Sequence, residues 1–166
     1  LNLRLKLADI ASRLGLIEER FGNYSAALER FGESCSLVRA LVALEPAVAR
    51  WRVTLAISLT LTANVHAIVG RGSEASSRYA EAKALFSALA VQDPKNQQWR
   101  MRVATVELNE VALLAAAGRS ERAAEILGRA RATIEALVAA LNDWQPALLA
   151  SYPSMLSVMA DELEAG

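Results

Sequence analysis

The residues of this chain with the most reactive chemistry are one thiol, Cys35, and one imidazole, His66. A catalytic thiol needs a base beside it. His66 sits on a mostly apolar stretch one turn before Gly70, with no local signature of that partnership. Cys35 lies among small and apolar residues and reads as a packed thiol. His66 reads as a packed or capping residue. A single cysteine excludes an internal disulfide. No second histidine, no CxxC and no paired acidic cluster accompany these groups, so no metal site and no cofactor are expected. Gly70-Arg71-Gly72 lacks the preceding strand of a phosphate-cradling loop. The chain is not expected to be an enzyme.

Three guanidiniums have a regularity that the thiol and the imidazole lack. Arg4, Arg52 and Arg100 recur at a step of 48 residues. One reading is an anion ladder, a row of cations for a carboxylate or phosphate on a partner. The simpler one pairs each arginine with a neighbouring glutamate, such as Glu33 or Glu81, or lays it over an indole.

The same step runs through the elements that would position these residues. Gly22, Gly70, Gly118 and Gly166 keep it, as do Ala27, Ala75 and Ala123, and the pairs Pro46/Pro94 and Trp51/Trp99. A fixed period of this length marks stacked supersecondary units. Apolar residues recur at three and four, with no period-two alternation, so the units are helical. Helix one is expected over about 2–21, with Leu3, Leu7, Ile10, Leu14 and Ile17 as an apolar stripe. Glycine stops it and Asn23 caps the next, which runs to about Leu44. Pro46 starts a third helix to about Val69, and Ser73 caps a fourth to about Val91. Asp93-Pro94 opens a fifth as cap and first residue, and Ser120 caps a sixth to about Leu141. Asp143 opens a seventh, to about Glu164, with Pro153 inside it.

The expected fold is therefore all-α: an α-solenoid of three antiparallel helix pairs plus a seventh C-terminal helix, forming one domain over 1–166. Its units are 1–46, 47–94 and 95–142, with a partial fourth at 143–166. Stacking buries a continuous core that one amphipathic pair could not.

Composition narrows the function. The 166 residues are 54% hydrophobic, with 18 basic and 18 acidic side chains. A zero net charge argues against a nucleic-acid binder. No run approaches the ~20 apolar residues of a membrane span, and no signal peptide opens the chain. Cytoplasmic localisation is expected. The first residue is Leu, as expected of a fragment of a longer protein.

Leu14-Gly15, Gly22, Tyr24, Ala27 and Phe31 resemble a tetratricopeptide repeat. That family sets small residues at helix crossings, glycine at the turn and aromatics around it. The second unit keeps Ala63, Gly70, Ala75, Tyr79 and Ala82; the third keeps Gly118, Ala123 and Ala130, with Val111 and Leu127 as departures. The family's unit is 34 residues; the longer step here adds about two turns to each helix. This long variant resembles arrays found in bacterial signalling and effector proteins. The resemblance implies a right-handed superhelix whose first helices line a concave groove. Carried over by register, that groove is Leu5, Asp9 and Ser12 in unit one, Val53, Ile57, Thr60 and Asn64 in unit two, and Met101, Thr105, Leu108 and Ala112 in unit three. It is small-sided, increasingly apolar toward unit three, and has Asn64 as a polar fixing group. It suits a peptide or partner domain with aliphatic anchors. The alternative is a regulatory or oligomerisation segment of a larger signalling enzyme. Met155, Val158, Met159 and Leu163 are candidates for the outward face of the seventh helix, so either self-association through this end or a continuation of the array in the parent protein is expected.

Overall fold

Glycine ends the first helix of each pair in the same way three times. Gly22, Gly70 and Gly118 have φ of +77°, +77° and +71°, a conformation that disfavours any residue with a Cβ. Around Gly22, its own N–H bonds Glu19 O at 2.9 Å and the Asn23 N–H bonds Glu18 O at 2.9 Å. The pattern returns at Gly70/Arg71 and Gly118/Arg119. It is the Schellman motif, which satisfies carbonyls that the helix end leaves free.

The computed structural model describes the backbone of residues 2–144 and the side chains of residues 3–140. It contains α1 (Asn2–Arg20), α2 (Tyr24–Leu44), α3 (Ala49–Ile68), α4 (Gly72–Gln92), α5 (Gln97–Ala116) and α6 (Ser120–Trp144). No strand occurs among the described residues. The glycine links are three residues long, so α1/α2, α3/α4 and α5/α6 fold back on each other and pack. Successive pairs meet through α2 on α3 and α4 on α5, and the first helices also touch, α1 with α3 and α3 with α5.

Helix starts depart from the sequence expectation. Pro46 and Pro94 do not begin helices. Val48 N–H bonds Glu45 O and Asn96 N–H bonds Asp93 O, so each proline holds the second place of a β-turn, where its fixed φ is favoured. Asp93 ends α4 instead of capping α5, and the cap is Asn96, whose side chain accepts from Gln98 N–H at 3.1 Å. Asn23 stands before α2 but turns its amide to Glu18 at 2.8 Å. Ser73 lies inside α4 and bonds Glu74. Ser120 is the first residue of α6. Asp143 does not open a seventh segment; α6 runs through it to Trp144. The expected seventh helix, with Met155, Val158, Met159 and Leu163, otherwise lies outside the described residues.

The core is a run of small and large residues alternating across the helix contacts. Ala27, Ala63, Ala75, Ala82 and Ala130 have no exposed surface, and Ala123 has 6%. They let neighbouring backbones approach, and Phe31, Val38, Leu41, Leu59, Phe86 and Leu89 fill the space around them. Trp51 joins this core and Trp99 packs on its edge.

Candidate functional site

The first helices α3 and α5 run side by side, and residues three and four apart on each face the gap. Two hollows lie there. One, of about 110 Å³, is walled by Ile57, Thr60 and Leu61 of α3, Phe86 of α4, and Arg102, Thr105 and Val106 of α5. Thr60 and Thr105 donate their hydroxyls to their own helices, to Ala56 O at 2.8 Å and Met101 O at 2.9 Å. That satisfies both hydroxyls locally and keeps this hollow largely apolar.

The second hollow, about 410 Å³, is polar at its base. Asn64 Oδ1 accepts from the Tyr79 hydroxyl at 2.7 Å and from Asn109 Nδ2 at 3.2 Å. Ala67, Ile68, Ala112, Leu113 and Ala116 form its walls, with Glu19 at the rim. Burial pushes the Tyr79 phenol up to about 12, so it remains a donor at neutral pH and fixes the amide's orientation. Neither Asn64 Nδ2 nor Asn109 Oδ1 is bonded among the described residues. One free amide donor and one free acceptor thus lie together in an apolar setting, which is what a peptide backbone requires of its partner.

Between α1 and α3 the character changes. A hollow of about 330 Å³ is lined by Leu5, Lys6, Asp9, Arg13, Arg50 and Thr54, with Asp9 and Arg13 paired at 2.9 Å. The face is charged in unit one and apolar between units two and three.

Of the groove residues expected from register, Leu5, Asp9, Ile57, Thr60, Asn64, Thr105 and Ala112 line these hollows. The others do not. Leu5 itself is 8% exposed and belongs mainly to the core. Val53 packs half-buried on that core. Met101 and Leu108 are exposed outside the hollows. Ser12 is held in a hydroxyl triangle, 2.8 Å from Ser34 and 3.3 Å from Ser58, which are themselves 2.9 Å apart. Asn109, Arg102, Lys6 and Arg50 were not expected. Asn109 stands where the other units have Arg13 and Leu61, so the repeat hides it; three-residue spacing from Ala112 was the available signal.

The arginines do not form a ladder. Arg4 and Arg100 are exposed, but Arg52 is 9% exposed and donates to Gln92 Oε1 at 2.6 Å. Gln92 ends α4, whose C-terminal carbonyls favour a nearby cation. Arg52 therefore holds α3 to α4. The glutamates suggested as partners go elsewhere: Glu33 to Arg30, and Glu81 to Arg39 and Arg78.

Cys35 is buried, with its sulfur 3.9 Å from Thr62 Oγ1, and burial pushes its thiol up. Desolvation lowers His66, partly opposed by Glu74, and its Nδ1 has no partner. Among the described residues no hydrogen bond joins His66 to Cys35 or to a serine, and no three His, Cys, Asp or Glu converge on one point. No described helix is long and apolar enough to cross a membrane. Comparison of the chain with protein-family models, curated proteins and solved structures returned no match.

Proposed function

We propose that the chain is a non-enzymatic protein-interaction scaffold, a tetratricopeptide-like solenoid of 48-residue units that binds a peptide along the face of α1, α3 and α5. The observation that carries this reading is the linked amide pair of Asn64 and Asn109, with one donor group and one acceptor left open to solvent, beside two largely apolar hollows. An extended or helical segment seats an aliphatic side chain against Ile57 and Thr105. One of its backbone amides then bonds the asparagine pair. Arg102, at the edge of the smaller hollow, favours an acidic residue next to that anchor.

Selection from a random peptide library on the immobilised protein tests this. Selected peptides should share an aliphatic anchor, and the Asn64→Ala/Asn109→Ala variant should bind them about tenfold or more weakly. Arg30→Ala, on another face, should bind as the parent does. Peptides insensitive to the asparagine change would place the binding surface elsewhere.

A further inference from the structure

Helix α1 has a second apolar face that no described residue covers. Leu3, Leu7, Ile10, Leu14, Ile17 and Phe21 recur at alternating steps of four and three and are 42–77% exposed. Six large side chains in one stripe form a contiguous apolar patch of the kind that marks a contact surface.

The repeat shows how such a face is used elsewhere in the same molecule. Adding 48 to the first five positions gives Trp51, Leu55, Ser58, Thr62 and Val65 of α3, all buried. Ser58 and Thr62 bond Ser34 and Cys35 of α2. Adding 48 again reaches Val106 and Glu110 of α5; Val106 is 1% exposed, and Glu110 takes Lys83 of α4 at 2.8 Å. On α3 and α5 this face is covered by the second helix of the preceding unit.

We propose that the outer face of α1 is a docking surface for one amphipathic helix from outside this sequence, seated as α2 sits on α3 and α4 on α5. It is a different face from the peptide groove, and its failure would leave that reading intact.

One position specifies the chemistry of the occupant. Thr62 meets Cys35, and Glu110 meets Lys83. Both pairs occupy the same two places in the repeat, so each unit matches its own polarity there. In α1 the place of Thr62 and Glu110 is taken by Leu14. The docking helix must therefore carry an aliphatic or aromatic residue where α2 has Cys35 and α4 has Lys83. A second copy stacking through α6 does not meet this condition. Arg131 holds that place in α6 and is paired with Glu135 of its own helix at 2.7 Å, so stacking there would strip water from a charged pair against the apolar Leu14, which offers it no partner.

The matching rule supplies the experiment. Two labelled peptides of the α4 sequence, Gly72–Gln92, are titrated with the protein and followed by fluorescence anisotropy: one as it stands and one carrying Lys83→Leu. The wild-type protein should bind the Lys83→Leu peptide at least about tenfold more tightly than the parent peptide. Leu14→Glu should reverse that order, because it recreates the Lys83–Glu110 pair. Leu14 is 42% exposed, so this variant leaves the fold intact. No binding of either peptide, or a preference that Leu14→Glu leaves unchanged, would overturn the proposal. So would sedimentation equilibrium showing a dimer that Leu14→Glu dissolves, since the occupant would then be another α1.

Discussion

Gly15 lies directly against the ring of Phe31: a Cβ built on Gly15 would come within 2.5 Å of Phe31 Cε1 and 2.7 Å of Cδ1. Phe31 is fully buried and has no room to retreat. Gly15→Ala gains roughly 1 kcal/mol of helix propensity but overpacks a crossing, which costs about 1–3 kcal/mol. The clash should win, lowering stability by up to about 2 kcal/mol. The repeat indicates the remedy, since the third unit sets Val111 opposite Leu127 at these places. Gly15→Ala/Phe31→Leu should therefore lose less than the two single losses added. Urea midpoints of the three variants check this; strict additivity would show that the two residues do not share the crossing.

The turn glycines and the two unobstructed helical glycines should respond in opposite directions. A Cβ at Gly22, Gly70 or Gly118 meets nothing within 4 Å, yet each has positive φ. Alanine there should cost about 1–2 kcal/mol through backbone conformation alone. Gly32 and Gly128 are helical and equally unobstructed, and alanine there should stabilise by about 0.5–1 kcal/mol. Thermal melts of the five single variants would reveal any departure from this split.

Lys83 and Glu110 form a partly buried pair across α4 and α5, with side chains 27% and 17% exposed. Lys83→Met leaves Glu110 without its cation and should destabilise by about 1–2 kcal/mol after allowance for solvent screening. Replacing both, Lys83→Met with Glu110→Leu, should recover most of the loss. A double-mutant cycle in urea measures the coupling, and a coupling near zero would mean the pair is solvated.

His66 links stability to pH. Desolvation lowers its folded pKa below the ordinary value of 6.5, so the unfolded chain binds the proton more readily. Its contribution is present in full above pH 6.5 and is lost as pH falls from there through the folded value. His66→Gln should remove this component, giving a flatter stability profile between about pH 7 and pH 5 than the parent shows. Identical profiles would show that the imidazole is as well solvated in the folded chain as in the unfolded one.

The glycine turns, the three helix pairs and the small residues at their crossings were legible in the sequence, because each rests on local rules that repeat. Positive φ needs glycine, a three-residue link forces the helices back on each other, and a crossing needs a small residue. Several residues that line the hollows between α3 and α5, Asn64 among them, followed from the repeat register carried over from the family resemblance. What the tertiary structure alone decided depends on residues far apart in the chain. Ser12, Ser34 and Ser58 meet across separations of 22 to 46 residues, and Asn109 reaches Asn64 across 45. Pro94 looked like a helix start because its own neighbourhood allows one; the hydrogen bond from Asn96 to Asp93 makes it a turn instead. The stripe of Leu3 to Phe21 carries the same pattern as a buried helix face. Which face a neighbour covers is set by where the next helix sits, and only packing in three dimensions shows that in α1 it is Leu5, Ala8 and Ala11 that turn inward.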